Sequence, residues 1–461
     1  MARAAEVRLA EHYFGALNQG LLRLAEFFED RAVLEPAIED MWSEVAEFHD
    51  CQWVLAANMK FSGHWERAAA LEEQIPQLHA RLARRIQIYD GPFIGYRPDR
   101  ETVAFFSDLT RAQVDGVWGW DEFPPEARFG GIAFRKFTDH LFHLWHAALM
   151  HAHHVEAAVG AGSPASAIDL LPMPLSLTQC EYRIREWCTT GAADAAQIHR
   201  CTSLGPWNWQ DTLKMPRGAA SPCYSLGNEH VLFSFAGCTS NPVDFLLGEL
   251  ERNFPDDWTR NAAAREEILR NQIITLLSSH EDVIAVPRTI MIDTALGETD
   301  LDLAMIDQRA GVLALFQLKW QRMLGANLRA RRTQGGNLLK SANRWVERTL
   351  AWRDGGRMQE CLSSAGFGKR AAESIKECRI FVLGRHVGRI SGGETPHAGA
   401  AWGNSWQMRR LLISGQVDKA DPLRTLHDKL REEGPARGRP PGQVEDLELE
   451  LSGLHLTIRR E

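Results

Sequence analysis

Lysine is scarce in this chain. Nine of its 52 basic residues are lysines, so a lysine kept inside an apolar strand stands out against the chain's own usage. Cysteine is sparse too. The eight cysteines (Cys51, Cys180, Cys188, Cys201, Cys223, Cys238, Cys361 and Cys378) form no Cys-x-x-Cys pair, which argues against a disulfide framework or a zinc ribbon and predicts free thiols. No apolar run approaches the roughly 18 residues of a membrane span. Glu6 and Glu11 interrupt the apolar core that a secretory signal needs. These absences predict a cytoplasmic protein with no membrane partner. Net positive charge is also missing: a formal charge of -8 excludes a wholly basic nucleic-acid binder but leaves room for a local basic groove.

What is present is an ordinary globular composition, 44% hydrophobic and 24% charged over 461 residues, long enough for two or three cored units. Residues 6 to about 87 and 101 to 160 carry apolar side chains at three- and four-residue spacing, so an all-α region is expected over 1–165. Segment 166–242, rich in Trp, Gly and Pro, has no clear period and reads as a connector or a small irregular subdomain. From 243 to 461 helices alternate with short apolar strands (VIAVP, TIMID, LDLAMID, VLALFQLKW, CRIFVLGRH) and a terminal hairpin follows, which predicts an α/β domain. The expected fold class is therefore α+β and multidomain.

The chemistry concentrates in GETDLDLAMIDQRAGVLALFQLKW, residues 297–320. Strand alternation places Asp300, Asp302, Ala304 and Ile306 on one face of a first strand, and Leu313, Leu315, Gln317 and Lys319 on one face of a second. Burying these polar groups unpartnered is costly, so they are expected to neutralise one another or to hold a cation and its anionic substrate. In the preceding helix, Glu266 falls on the apolar face carrying Leu269, Ile273, Leu276 and Leu277. Oxygen ligands of this kind suit Mg²⁺ or Mn²⁺ and imply metal-assisted attack of water on a phosphodiester.

At these residues the chain resembles the PD-(D/E)xK nuclease superfamily, in its Mrr-like restriction endonuclease branch with a Gln-x-Lys motif. The motif here is Gln317-Leu318-Lys319, with Asp302 or Asp300 as the acidic motif and Glu266 as the helical acid. The resemblance covers roughly residues 258 to 390. It implies a restriction-endonuclease-like domain cleaving DNA, with Asp302, Gln317, Lys319 and Glu266 catalytic and Asp302, Gln317, Asp300 and Glu266 holding Mg²⁺ or Mn²⁺. A defence role against foreign DNA fits that layout. No Pro precedes the Asp, and Gln317 replaces the usual acid, which lowers the negative charge offered to a metal. The alternative is a non-catalytic nucleic-acid-binding or interaction protein on a degenerate nuclease fold.

A hidden basic patch follows the motif. Arg322, Arg329, Arg331, Arg332, Lys340, Arg344, Arg348 and Arg353 face only Glu347 in charge, an excess suited to tracking a phosphate backbone. Arg329, Arg331, Arg332, Lys340 and Arg344 are the predicted DNA contacts, with Gln334 as a polar support. Elsewhere, His140, His143, His146, His151, His153 and His154 crowd one helical segment, where His143 and His146 are spaced to share a metal. A histidine-rich face packed on aromatics is the plainer expectation. Trp42, Trp53, Trp65, Trp118, Trp120 and Trp145 read as core anchors of this region, which is expected to assemble copies of the chain or hold a partner protein.

Overall fold

The computed structural model describes residues 16–18, 20–38, 50, 54, 64–88, 93–114, 120–163, 165–214, 220–227, 229–239, 241–320, 328–356, 358, 362–389, 395–436, 447–451 and 454–459. Two compact units divide the chain, one made of Met1–Val54 with Glu266–Glu461 and the other of Leu55–Arg265. Both mix helices and strands.

The all-α expectation for the N-terminal region is corrected at its start. Strands β1 (Leu22–Phe28) and β2 (Arg31–Pro36) form an antiparallel hairpin. Apolar residues at 22, 24, 27 and 28 satisfy helical spacing as well as alternation, and the deciding partner is remote. A C-terminal strand, Leu454–Ile458, runs parallel to β2 with His455 beside Arg31 and Ile458 beside Leu34. Leu22, Ala32, Leu34, Leu456 and Ile458 then share a small core.

The second unit is built on helices α1 (His64–Glu72), α2 (Ile75–Ala83), α3 (Arg100–Val114) and α4 (Phe134–Gly160). Helix α4 is apolar on more than one side, as a helix buried within a unit must be. Its Trp145, Leu149 and Ala157 pack on Leu78 and Leu82 of α2 and on Phe106 and Leu109 of α3. Its Phe137, Leu141, Leu144 and Ala148 join a second core. That core draws on strand β3 (Met173–Ser176) and helices α5 (Leu177–Trp187) and α6 (Ala192–Thr202). Strands β4 (Ser203–Leu204), β5 (Cys223–Ser225) and β6 (His230–Phe233) complete a sheet ordered β3-β6-β5-β4, and helix α7 (Pro242–Asn253) closes it. Segment 166–242 is therefore no connector. Its Cys180, Ile184, Ile198, Val231 and Phe233 are core residues shared with α4, and the unit continues past 243 to Arg265. Cys180, Cys188, Cys201, Cys223 and Cys238 are buried free thiols. Burial pushes Cys180 and Cys201 up to about 12, which keeps both un-ionised.

The remainder of the first unit follows helix α8 (Ala262–Leu277). Strands β7 (Val283–Val286), β8 (Ile290–Thr294), β9 (Gly297–Leu301), β10 (Leu303–Asp307) and β11 (Val312–Lys319) lead to helix α9 (Leu328–Asp354). Then come β12 (Glu377–Gly384), β13 (Ala401–Asn404), α10 (Ser405–Ile413), α11 (Pro422–Ala436) and the hairpin β14 (Leu447–Leu451) and β15 (Leu454–Ile458). The main sheet is ordered β7-β10-β11-β12-β13, antiparallel on the β7 side and parallel from β11 to β13. Strand β11 is buried on both faces, which explains its nearly unbroken apolar run. Leu313 and Leu315 meet Leu339, Ala342 and Val346 of α9. Val312, Ala314, Phe316 and Leu318 meet α8, α10 and α11.

A charge cluster ties residue 50 to this body. Arg410 Nε donates to Asp50 Oδ1 at 2.6 Å, and its other arm donates to Glu433, which also accepts from Gln407. Arg410→Met would remove the cation that Asp50 and Glu433 share. A cost of about 3 kcal/mol in urea unfolding is expected; a loss below about 1 kcal/mol would show that the cluster adds no more than surface pairs do.

Candidate active site

The site is assembled where β10 begins beside the carboxyl end of β11. Alternation along β11 sets Gln317 and Lys319 on the α9 side, continuing the row of Leu313 and Leu315. Gln317 is 4% exposed, while Lys319 is half-buried.

Asp302 occupies a one-residue break between β9 and β10. This corrects the single strand expected through Asp300, Asp302, Ala304 and Ile306. Ala304 and Ile306 do face the α9 core, but β9 pairs with β8 whereas β10 pairs with β7 and β11. The break turns Asp302 into the ladder. Its N–H donates to the Phe316 carbonyl at 3.1 Å, and its carboxylate Oδ2 accepts from the Leu318 N–H at 2.7 Å and from the Gln317 amide. A side chain only 3% exposed thus stands in for the next strand carbonyl. Arg270, one turn beyond Glu266 on α8, fixes the same corner by donating from Nε to the Asp302 carbonyl at 2.6 Å.

Four charged groups are close enough to act on one another here. Burial raises the Asp302 carboxyl above the ordinary range; the Leu318 N–H opposes that rise, Asp300 adds to it, and Lys319 and Gln317 oppose it. Burial likewise raises Glu266, with Asp302 and Asp300 reinforcing the shift and Lys319 and Arg270 countering it. Asp302, Asp300, Glu266 and Lys319 therefore share one electrostatic neighbourhood, with Gln317 hydrogen-bonded into it. Among the described residues Lys319 makes no ion pair with any of these carboxylates, so the ordinary Asp–Lys surface pair is absent.

The carboxylates do not form a closed cage. Oxygens of Asp300, Asp302 and Glu266 do not all come within 4.8 Å of one another, so the full predicted set is not gathered at direct-ligand spacing. Gln317 points its amide nitrogen at Asp302 instead of presenting a ligand oxygen there. A cation that keeps several waters and takes one or two carboxylates is the kind this spacing accommodates.

Helix α9 covers the corner. Trp345 donates from its indole to the Asp300 carbonyl, and Arg348 donates to the Glu298 carbonyl at 3.1 Å. Lys340 and Arg344 are exposed on its outer face. Arg329, Arg331, Arg332 and Gln334 lie in its first turns, with side chains outside the described residues, and Arg322 lies outside them altogether. Sequence reading missed Arg270 and Arg385. Directly after β12, the Arg385 N–H donates to the Lys319 carbonyl at 2.9 Å. Its guanidinium stands 4.2 Å from the Trp320 ring centre and donates to Gln272 of α8 at 2.9 Å. The only sequence signal for it was a basic residue at the end of an apolar strand.

The histidines of α4 are mostly engaged by protein groups. His143 stacks on Trp187 with ring centres 4.9 Å apart, while His146, His151 and His154 each hydrogen-bond a main-chain carbonyl. His143 and His146 belong to no metal-like grouping among the described residues. Trp145 is buried in the core as expected and Trp120 packs beside it; Trp42, Trp53 and Trp118, and the Trp65 side chain, lie outside the described residues.

No family model, no curated protein and no solved structure matches this chain. No helix among the described residues is long and apolar enough to cross a membrane.

Proposed function

We propose that the chain is a metal-dependent deoxyribonuclease whose phosphodiester-cleaving site lies at the carboxyl end of β11. One observation carries the reading: Asp302 and Gln317, both buried, are hydrogen-bonded to each other at a strand end that also gathers Glu266, Asp300 and an ammonium, Lys319, with no ion-pair partner there. Along the chain the site draws on helix α8, the break between β9 and β10 that holds Asp302, strand β11 with Gln317 and Lys319, and helix α9, and this order supports the reading.

The donor set fits a hard cation. Only Oδ2 of Asp302 accepts hydrogen bonds among the described residues, which leaves Oδ1 to hold Mg²⁺ or Mn²⁺, with Asp300 or Glu266 reaching it directly or through water. Such an ion, when bound, polarises the phosphodiester and lowers the pKa of the attacking water. Gln317 and the Leu318 N–H orient Asp302. Arg270 fixes its backbone, and Lys319 stabilises charge developing on the phosphate. Incubating purified protein with plasmid, with and without Mg²⁺, and repeating with Lys319→Ala tests the assignment.

A second reading has an observation of its own. Because Asp302 completes the β11 ladder, the same residues serve a DNA-binding domain without catalysis. That protein would bind plasmid and leave it intact.

Both readings use the outer face of α9 for phosphates. Lys340→Glu combined with Arg344→Glu is expected to weaken DNA binding for all sequences and to reduce the salt slope by about 2, since each phosphate contact contributes about 0.9. Unchanged affinity and slope in filter binding would reduce this face to a solvated one.

A further inference from the structure

A metal-like grouping of side chains lies away from the sheet, in the second unit. His79 comes from α2, while His153 and Glu156 stand three apart on one face of α4. Three atoms converge. His153 Nδ1 lies 3.0 Å from Glu156 Oε2 and 3.1 Å from His79 Nε2, and His79 Nε2 lies 3.3 Å from the same oxygen.

Hydrogen bonds alone do not satisfy this triangle, because a neutral imidazole nitrogen carries either a proton or a lone pair. If both nitrogens donate to the carboxylate, their N–H groups oppose each other across a 3.1 Å contact. If one accepts from the other, it turns a lone pair on the carboxylate. A cation at the centre removes both conflicts. The dimensions suit one: tetrahedral zinc with bonds of ~2.0–2.1 Å sets its ligands about 3.3 Å apart. Two imidazoles and a carboxylate are zinc donors, whereas Mg²⁺ takes oxygen.

We propose that His79, His153 and Glu156 form a Zn²⁺ site with three protein ligands and a fourth position open to water or a small anion. Side-chain exposures of 27% for His79 and 54% for Glu156 give the ion a way in. The ion would cross-link α2 to α4 and so raise the thermal stability of the unit.

Titration of EDTA-treated full-length protein tests this. Wild type should take up one more equivalent of Zn²⁺ than His79→Ala or Glu156→Gln. Its Co²⁺ form should show the intense visible absorption of a tetrahedral site, lost in both variants. Glu156→Gln changes a half-exposed side chain to one of the same shape, so folding is not at risk. Asp302→Asn, in the other unit, should keep the tetrahedral Co²⁺ spectrum of this site whether or not an ion is lost at the sheet end, which separates this site from the nuclease reading. Wild type binding no more Zn²⁺ than the two variants overturns the proposal, as does a weak octahedral Co²⁺ spectrum.

Discussion

Asp302→Asn should leave plasmid uncut in Mg²⁺ while melting no lower than the parent. The two halves of that result have separate causes. Cleavage is lost because Asn offers the ion no charge, and removal of one electrostatic group from such a site costs on the order of 10²–10³ in rate. Stability is kept because the Asn oxygen can accept from Leu318 and Gln317 as Oδ2 does, while the repulsion felt from Asp300 and Glu266 disappears. Asp302→Ala behaves differently. It strands the Leu318 N–H and the Gln317 amide in a buried corner, at about 1–3 kcal/mol for each unsatisfied group. Lys319→Ala should match Asp302→Asn in cleavage and cost little stability, since no ion pair is broken. Plasmid cleavage and thermal melting on all three variants decide the matter. Cutting that survives Asp302→Asn or Lys319→Ala would remove the site from the chemistry, and a wild type that binds DNA without cutting it would favour the ladder-cap reading.

Acid should destabilise the second unit before it protonates ordinary carboxylates. His140 is fully buried and neither of its ring nitrogens has a hydrogen-bond partner; burial, with smaller contributions from His199 and His143, pulls it down to about 3. His199 is equally enclosed and pulled down to about 4 by burial. The unfolded chain binds protons at these imidazoles near pH 6.5, whereas the folded unit stays unprotonated until about pH 4 or 3. Stability is therefore level above pH 6.5 and falls as pH drops below it, by about 1.4 kcal/mol per unit for each group. Roughly 3 kcal/mol should go between pH 6.5 and pH 5 from this pair alone, because the slope is only half developed at pH 6.5. His143 and His154 add in the same direction. Urea titrations at pH 7 and pH 5 should show the lower midpoint at pH 5, with a smaller difference in His140→Leu. That variant should also gain about 1–3 kcal/mol at pH 7 by removing an unsatisfied polar group. Equal midpoints at the two pH values would contradict the buried-neutral assignment.

Elements with a long period or an unbroken apolar run were legible in the chain. Helix α8 repeats Leu269, Ile273 and Leu277 at four-residue steps, and β11 is a continuous apolar run closed by Gln317 and Lys319. The placing of Gln317 and Lys319 on one strand face, and of Glu266 on the helix face with Leu269 and Ile273, follows from such local patterns, because alternation and helical phase are properties of neighbouring residues. Strand β1 was not legible. LRLAEFF suits either period, and its sheet is completed by residues more than four hundred positions away, so no local window contains the deciding contact.

The amino-acid sequence by itself determined where polar groups interrupt apolar strands, which helix carries Glu266 inward and where positive charge accumulates. Tertiary structure alone decided the rest. The chain leaves the ladder at Asp302 because β9 and β10 find different partner strands, and only that break aims the carboxylate at the Leu318 N–H. Arg385 meets Lys319 because β12 lies parallel to β11, and His79 meets His153 because α2 packs on α4 across 74 residues of chain. Each is a contact between segments whose separation along the chain carries no spacing rule. Its existence rests on which buried faces pack together, a choice made by the whole core and not by any stretch of it.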